Sequence, residues 1–593
     1  MAAREGALPA ARLEVMDDGS RNDDSWDARD PSPVPGGEPL EAWPPQIPPP
    51  SLPSRRRKAL AAFLVALVLV GLLGPATALD LGRNVSSASP APVTHAAGTV
   101  RVFGWLPATY DPARQGDTGT ASLLAQLFEG LTACDASLSV RPALADSWTV
   151  SRDGLTIAFH LRSGITFSDG TPITASDVVS SWLHVLDPRL AAPLASILDD
   201  VQGATAYREG RGSRSGVGVS ASGDTVVVRL VTPASWFPSV AANPVLAVVP
   251  PAEARTLDVT TVPPAFVGSG AYVVTAEGPS SITLRANARY WAGTPAIGTV
   301  TVVTDLGGRS VVEAFNAGAV DYVPLDEADA LWVRYDRQLG PQLREEPSLT
   351  VTYYGFDTRR PPFDDLRVRL AFAEAVDWRR IALLADGPDA VATSLVPPGI
   401  PGRSTADYLP AFDPAAARAA LAASGHPGGR GLSAITLVSD GTAYDEAVVD
   451  QLKQNLGVSV RLEIEQTDAY AAALVGRTPD MWSMSWVADF PAQEDFLGML
   501  LRPGATSNFG GWDSPAYAAA LDAAGRAKTA AAAEAAYASA QSILRSRVPV
   551  VPVSYAAWGS HGAASWALAR TGLLGATTNG LGTPRFAGLA WAP

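Results

Sequence analysis

Cysteine is all but missing from this chain of 593 residues: Cys134 stands alone, so neither a disulfide framework nor a Cys-based metal site can be built within it. A single cysteine in an apolar setting is normally a small core residue. Lysine is nearly as scarce, with three residues, which leaves little room for a Lys nucleophile. The five histidines, His95, His160, His184, His426 and His561, are scattered, and there is no H-E-x-x-H pair, G-x-S-x-G elbow or P-loop. Adjacent acids such as Asp364-Asp365 and Glu345-Glu346 read as solvated or capping groups. These absences point away from catalysis and give no catalytic residue, no metal ligand and no cofactor. Excess positive charge is lacking too. A formal net charge of -14 argues against a nucleic-acid partner, whose phosphates demand a basic face.

Long apolar runs are confined to one place. Residues 59–79, ALAAFLVALVLVGLLGPATAL, are uncharged and just long enough to cross a bilayer as a helix. Arg55, Arg56, Arg57 and Lys58 precede the run with no matching basic cluster after it, which sets the N-terminus in the cytoplasm and the bulk of the chain outside. The long segment ahead favours an uncleaved signal anchor; Ala76-Thr77-Ala78 also resembles a signal-peptidase site, and cleavage after Ala78 would release the protein. Residues 1–54, rich in acids and proline, cannot bury enough apolar surface to offset their ordering entropy and read as a disordered cytoplasmic tail. Residues 80–97 form a Ser/Ala/Pro linker with an end-to-end distance of about 25 Å, enough for a tethered domain to reorient.

With 47% hydrophobic and 18% charged residues the remainder is globular, and its most legible stretch is residues 154–182, GLTIAFHLRSGITFSDGTPITASDVVSSW. Ile157, Phe159 and Leu161 alternate with Thr156, Ala158 and His160, the pattern of a strand with one buried face. Asp153-Gly154 before it and Ser168-Asp169-Gly170 after it supply turn chemistry. Thr174 stands three residues before Asp177, a cap for a helix whose face carries Val178, Val179, Trp182, Leu183 and Leu186. Elsewhere the sequence predicts a helix from Thr120 to Leu131, helix starts at Asp413-Pro414 and Asp513-Ser514-Pro515, and a packing helix from Asp364 to Leu384. Strand candidates at 434–438, 458–464 and 481–486 alternate with helices, which indicates an α/β lobe.

The run 154–182 resembles the signature region of the family 5 extracellular solute-binding proteins, which include the oligopeptide- and dipeptide-binding proteins of ABC importers. The likeness continues in order through residues 186–210, Val267-Gly268-Ser269-Gly270-Ala271-Tyr272, Asn287-Ala288-Arg289-Tyr290-Trp291 and Phe315-Asn316-Ala317-Gly318, covering roughly residues 98 to 560. It implies an α/β, two-lobed periplasmic-binding-protein-like fold (type II, the large peptide-binding class with an extra subdomain), here preceded by one transmembrane helix. Residues 98–304 would form lobe I with the inserted subdomain, 305–550 lobe II, and 551–593 the return to lobe I.

The resemblance also implies a binding site. Ser485-Trp486-Val487-Ala488-Asp489-Phe490-Pro491 follows an apolar strand and matches a W-x-x-D segment whose acid, in peptide-binding members, receives the α-ammonium of the peptide. Asp489 is the matching position, Trp486 would wall a side-chain pocket, and Ser485 and Val487 belong to the same ligand-binding segment. Tyr353, Tyr354 and Phe356 occupy a region that lines the cleft in relatives; the family more often carries Asn where Asp357 stands. The implied function is a non-enzymatic, monomeric capture protein at the cell membrane. It would hold a peptide or similar small solute between its lobes and deliver it to the permease subunits of an ABC transporter. Two alternatives stay open: a sensory receptor signalling through the N-terminal tail, and a membrane-anchored hydrolase.

Overall fold

A computed structural model describes residues 98–250, 266–476, 479–556, 564–576 and 585–593. The expected cytoplasmic tail, the apolar segment 59–79 and the linker 80–97 lie outside the described residues, as do His95 and His561. Among the described residues no helix is long and apolar enough to cross a membrane.

Three main sheets carry the fold. The first has seven strands in the spatial order Leu343–Pro347, Ala564–Ala569, Tyr322–Leu325, Thr99–Phe103, Thr299–Val303, Ser281–Ala286 and Tyr272–Glu277. Thr99–Phe103 runs parallel to both of its neighbours and the remaining pairs are antiparallel. Val100, Val102, Leu284 and Val300 of this sheet share a core with Leu123, Leu124 and Leu127 of the helix Thr118–Leu127. That helix starts where Asp117 accepts a hydrogen bond from the Thr120 N–H, at 2.8 Å. It ends earlier than the expected Leu131. Phe128 is already extended, and the Glu129 N–H donates to Ser269 Oγ at 2.9 Å, so a tertiary partner replaces the next helical turn. Gly268 and Gly270 make that approach feasible: a Cβ on either would come within 2.2 and 2.4 Å, respectively, of the carbonyl oxygens of Leu127 and Gln126.

The second sheet is antiparallel, in the order Ala145–Val150, Thr156–Leu161, Thr225–Arg229, Val219–Ser222. Ile157, Phe159 and Leu161 are buried, as their alternation predicts, against Val178, Trp182 and Leu183 of the helix Ala175–Val185. The expected cap is present as a full capping box: Thr174 Oγ1 accepts from the Asp177 N–H and the Asp177 carboxylate accepts from the Thr174 N–H at 2.8 Å. Thr174→Ala is expected to lower stability by about 1 kcal/mol, read from the denaturant midpoint at unchanged m-value.

Five strands form the third sheet, in the order Val460–Ile464, Ile435–Ser439, Met481–Val487, Thr350–Phe356, Val550–Ser554. All of Thr350–Phe356 is buried, with Tyr354 and Phe356 in the core shared with Val368, Phe372 and Ile381, and Val351 and Tyr353 in the core shared with Phe496, Tyr517 and Tyr537. The helices expected at Asp413-Pro414 and at Ser514-Pro515 are Pro414–Ala423 and Pro515–Gly525, each capped by the residue before its proline. The single helix expected from Asp364 to Leu384 is instead two, Leu366–Glu374 and Trp378–Asp386. Asp377 stops the first turn sequence by capping the second helix at the Arg380 N–H. Strands Tyr322–Leu325 and Leu343–Pro347 lie past residue 304 yet stay in the seven-stranded sheet; the chain enters the five-stranded sheet at Thr350 and leaves it after Ser554.

Candidate ligand-binding site

Strand Met481–Val487 is the arm that delivers the site. It pairs along its whole length with Thr350–Phe356, but its other edge is paired with Ile435–Ser439 only through Met481 and Trp482. Among the described residues no strand covers the outer edge of Ser485, Trp486 and Val487. Past Val487 the chain turns away, steadied by the Ala488 N–H on the Leu349 carbonyl, and Asn243 Nδ2 reaches over to donate to the Asp489 carbonyl at 2.7 Å. The helix Gln493–Leu501 follows, and Asp495 in its first turn folds back: Asp495 Oδ2 accepts from Trp486 Nε1 at 3.1 Å and from the Asp489 N–H at 3.2 Å. One buried acid thus ties both ends of the segment 486–489.

Asp489 lines a cavity of about 260 Å³ together with Val487, Ala488, Asn243, Ser239, Cys134, Arg585 and the first turns of the helix Thr118–Leu127. No described residue hydrogen-bonds its carboxylate, and burial raises its pKa to about 6. Asp495 is raised well above the usual carboxylate range, first by burial and then by the neighbouring Asp489 charge. Arg585, also in the wall, pairs through Nη2 with Glu129 Oε1 behind it at 2.7 Å, and Tyr290 donates its hydroxyl to Glu129 Oε2 at 2.5 Å. Burial pushes the Cys134 thiol up to about 12 against the opposing pull of the Arg585 charge, which leaves Cys134 a small, protonated wall residue.

Of the expected site residues, Asp489 and Val487 line the cavity, and Val487 is half exposed. Trp486 and Ser485 do not line it. Trp486 is turned toward Asp495, and Ser485 Oγ lies 2.7 Å from Thr352 Oγ1 within the sheet. Tyr353 and Tyr354 are core residues rather than cleft residues: the Tyr353 hydroxyl meets Met484 Sδ at 3.3 Å and the Tyr354 hydroxyl donates to Asp445 Oδ1 at 2.6 Å. Their hydroxyls are consumed on opposite faces of the sheet. Tyr353→Phe is therefore expected to change ligand affinity by less than about twofold, read by calorimetry, since it removes only a weak O–H to sulfur contact. Asn243, Glu129, Asp495 and Arg585 escape sequence reasoning because each meets the site through a fold-level contact.

The profile of the bacterial extracellular solute-binding proteins, family 5, middle region, matches residues 139–508. The chain belongs to that family. It is 30% identical over 467 residues to the probable deoxycholate-binding periplasmic protein YgiS of Escherichia coli K12, covering 76% of this chain and 86% of that protein. Over 516 residues it is 26% identical to the periplasmic oligopeptide-binding protein OppA of the same organism, covering 84% of this chain and 93% of that one. In structure it superposes on the Escherichia coli murein tripeptide-binding protein MppA with a TM-score of 0.66 at 26% identity, covering 84% of this chain and all of the other. The mixed α/β architecture expected from the sequence is the architecture of this family of solute-binding proteins of ABC importers. Its relatives are binding proteins, which fits the absence of catalytic motifs in the sequence.

Proposed function

We propose that this family 5 protein captures short peptides by their free amino end in the cavity at Asp489 and delivers them, as a monomer tethered through residues 59–79, to an ABC import permease. The observation that carries the reading is a half-buried carboxylate with no partner among the described residues, ionised at neutral pH and set beside a strand edge that no described strand covers. An α-ammonium supplies the missing partner; a charge-assisted hydrogen bond of this kind contributes about 1.5 to 3 kcal/mol, or roughly one to two decades of affinity. The outer edge of Ser485–Val487 can pair with an extended peptide backbone, which adds affinity indifferent to side chains. Peptide ligands named for two relatives, an oligopeptide and a murein tripeptide, support the same class. Binding between the lobes would favour a closed form, and the permease would read that form.

A relative named as probably deoxycholate-binding, together with Arg585 and the small apolar side chains Ala121, Ala125 and Ala133 in the wall, supports a second reading, an amphipathic acid. Titration of the full-length protein with di- and tripeptides, their N-acetylated forms, deoxycholate and simple sugars, followed by calorimetry and tryptophan fluorescence, separates them. Saturable binding of the free-amino peptides alone is expected. Saturation by deoxycholate with no peptide response would replace the peptide reading, and a response to sugars alone would remove both.

A further inference from the structure

A second cavity, of about 230 Å³, lies where the segment after the four-stranded sheet meets the helix Gln493–Leu501 and the loop that follows it. Phe490 and Val240 line it, next in sequence to wall residues of the first cavity. Its polar wall is acidic. Asp199 is held by Arg208 at 2.7 Å and by Thr506 Oγ1 at 3.0 Å. Asp200 Oδ1 accepts from Thr232 Oγ1 at 3.2 Å and makes no ion pair among the described residues. Glu494 is only 3% exposed; its Oε1 accepts from Arg502 Nη2 at 2.9 Å, while its Oε2 is buried without a partner. Arg502 is already shared, its Nη1 lying 2.8 Å from Asp522 Oδ1. Arg208 and Arg502 are thus both engaged, and Asp200 and Glu494 line the cavity while one Glu494 oxygen lacks a partner among the described residues.

Glycine at position 498 keeps the space that Glu494 uses. A Cβ there would fall 1.9 Å from Glu494 Oε1 and push the carboxylate aside. A buried carboxylate oxygen with no donor costs about 1 to 3 kcal/mol or more, so its persistence calls for a donor from outside the chain. Where Glu494 is ionised the acids of the wall outnumber its cations, so that donor should be positively charged. A bare metal ion is a poor fit, since among the described residues no group of three or more acidic, histidine or cysteine side chains is disposed to hold one. From the Glu494 oxygen without a partner among the described residues, the second acid Asp200 and the cavity that both line, we infer a second ligand site for a compact organic cation bearing N–H donors, a primary ammonium or guanidinium group.

Burial, with the charges of Asp200 and Asp522, holds the Glu494 carboxyl up at about 8 against the opposing pull of Arg502, and Tyr517 and Tyr537 also adjoin it. Cation uptake is therefore strongest where Glu494 is ionised. The test uses full-length protein carrying Asp489→Asn, at pH 8.5, titrated with methylammonium chloride and, at matched ionic strength, with tetramethylammonium chloride, which has no N–H. Saturable stabilisation by methylammonium alone is expected, weakened at least fivefold by Glu494→Gln and separately by Asp200→Asn. An equal response to both salts, or a methylammonium response unchanged in both variants, overturns the site. Comparing Ala-Lys-Ala with Ala-Ala-Ala on the Asp489-containing protein then identifies the source. A preference for the lysine peptide that Glu494→Gln abolishes assigns the cation to the ligand's own side chain; methylammonium binding without that preference assigns it to a free amine. The methylammonium arm reads the second cavity even if peptides prove not to be ligands of the first.

Discussion

Asp489→Ala is expected to weaken a free-amino tripeptide by about 10- to 100-fold while leaving the weaker binding of its N-acetylated form unchanged, because a charge-assisted bond to the ammonium is worth about 1.5 to 3 kcal/mol. Calorimetry on the variant and parent with both ligands measures the coupling directly, and equal losses for both would reduce Asp489 to a wall residue. The pH dependence carries a sign. An ammonium needs the ionised acid, so affinity should hold near pH 7 and fall as pH drops through about 6, where Asp489 takes up a proton. Stability of the free protein should move oppositely. A carboxyl raised above its ordinary 3.8 binds its proton more tightly folded than unfolded; its stabilising contribution is complete below that value and lost as pH rises through about 6. Asp489→Asn should therefore bind peptide poorly yet melt higher at pH 7. Asp495→Asn separates the acid from its scaffold: an amide oxygen can still accept from Trp486 and the Asp489 N–H. Because burial sets the Asp489 value, the midpoint of the affinity profile should stay near pH 6 with the affinity at pH 7 kept within about threefold, and a collapse of affinity at every pH would assign Asp495 a purely structural role.

What the sequence discloses here follows the range of the interactions. The strand Thr156–Leu161 and the capped helix Ala175–Val185 depend on alternation and on a cap three residues long, and both appear where the residues predict them. The helix entering Phe128 fails as a local reading because its end is fixed by Ser269, far along the chain. Tyr353 and Tyr354 show a different limit. A strand buried on both faces carries no alternation, so cleft-lining and core-filling aromatics look alike, and only the sheets packed on either side distinguish them. Asp489 was visible through a W-x-x-D resemblance and does line the cavity, whereas Arg585 and Glu129 meet across the fold with no spacing to signal it. The second cavity is less visible still. Glu494 looks like an ordinary first-turn acid, and only its burial reveals an oxygen without a donor.

Trp182→Ala is expected to cost about 3 to 5 kcal/mol, the usual penalty for emptying a fully buried tryptophan site. Trp182 is 0% exposed, packs edge-on against Phe237 with ring centroids 5.9 Å apart, and donates its indole N–H to the Leu246 carbonyl at 3.0 Å. That bond gives the core residue a route to the ligand cavity. Leu246 closes the short turn Pro244–Leu246, which is capped by Asn243, and Asn243 is the side chain that grips the Asp489 carbonyl. Loosening the turn should therefore loosen the wall that presents Asp489, and Trp182→Ala should lose affinity as well as stability. Trp182→Phe keeps most of the apolar contact and removes the N–H, so it should cost less stability, about 1 to 3 kcal/mol, while still leaving the Leu246 carbonyl without its donor. Asn243→Ala is the complementary probe. It removes both the grip on Asp489 and the cap of the turn with the core intact, and should weaken peptide binding by about three- to tenfold, from the lost hydrogen bond of about 1 kcal/mol, while lowering stability by only about 1 kcal/mol. If Trp182→Phe leaves affinity untouched while Asn243→Ala lowers it, the turn holds its shape without the indole bond, and the core and the cavity wall are mechanically independent.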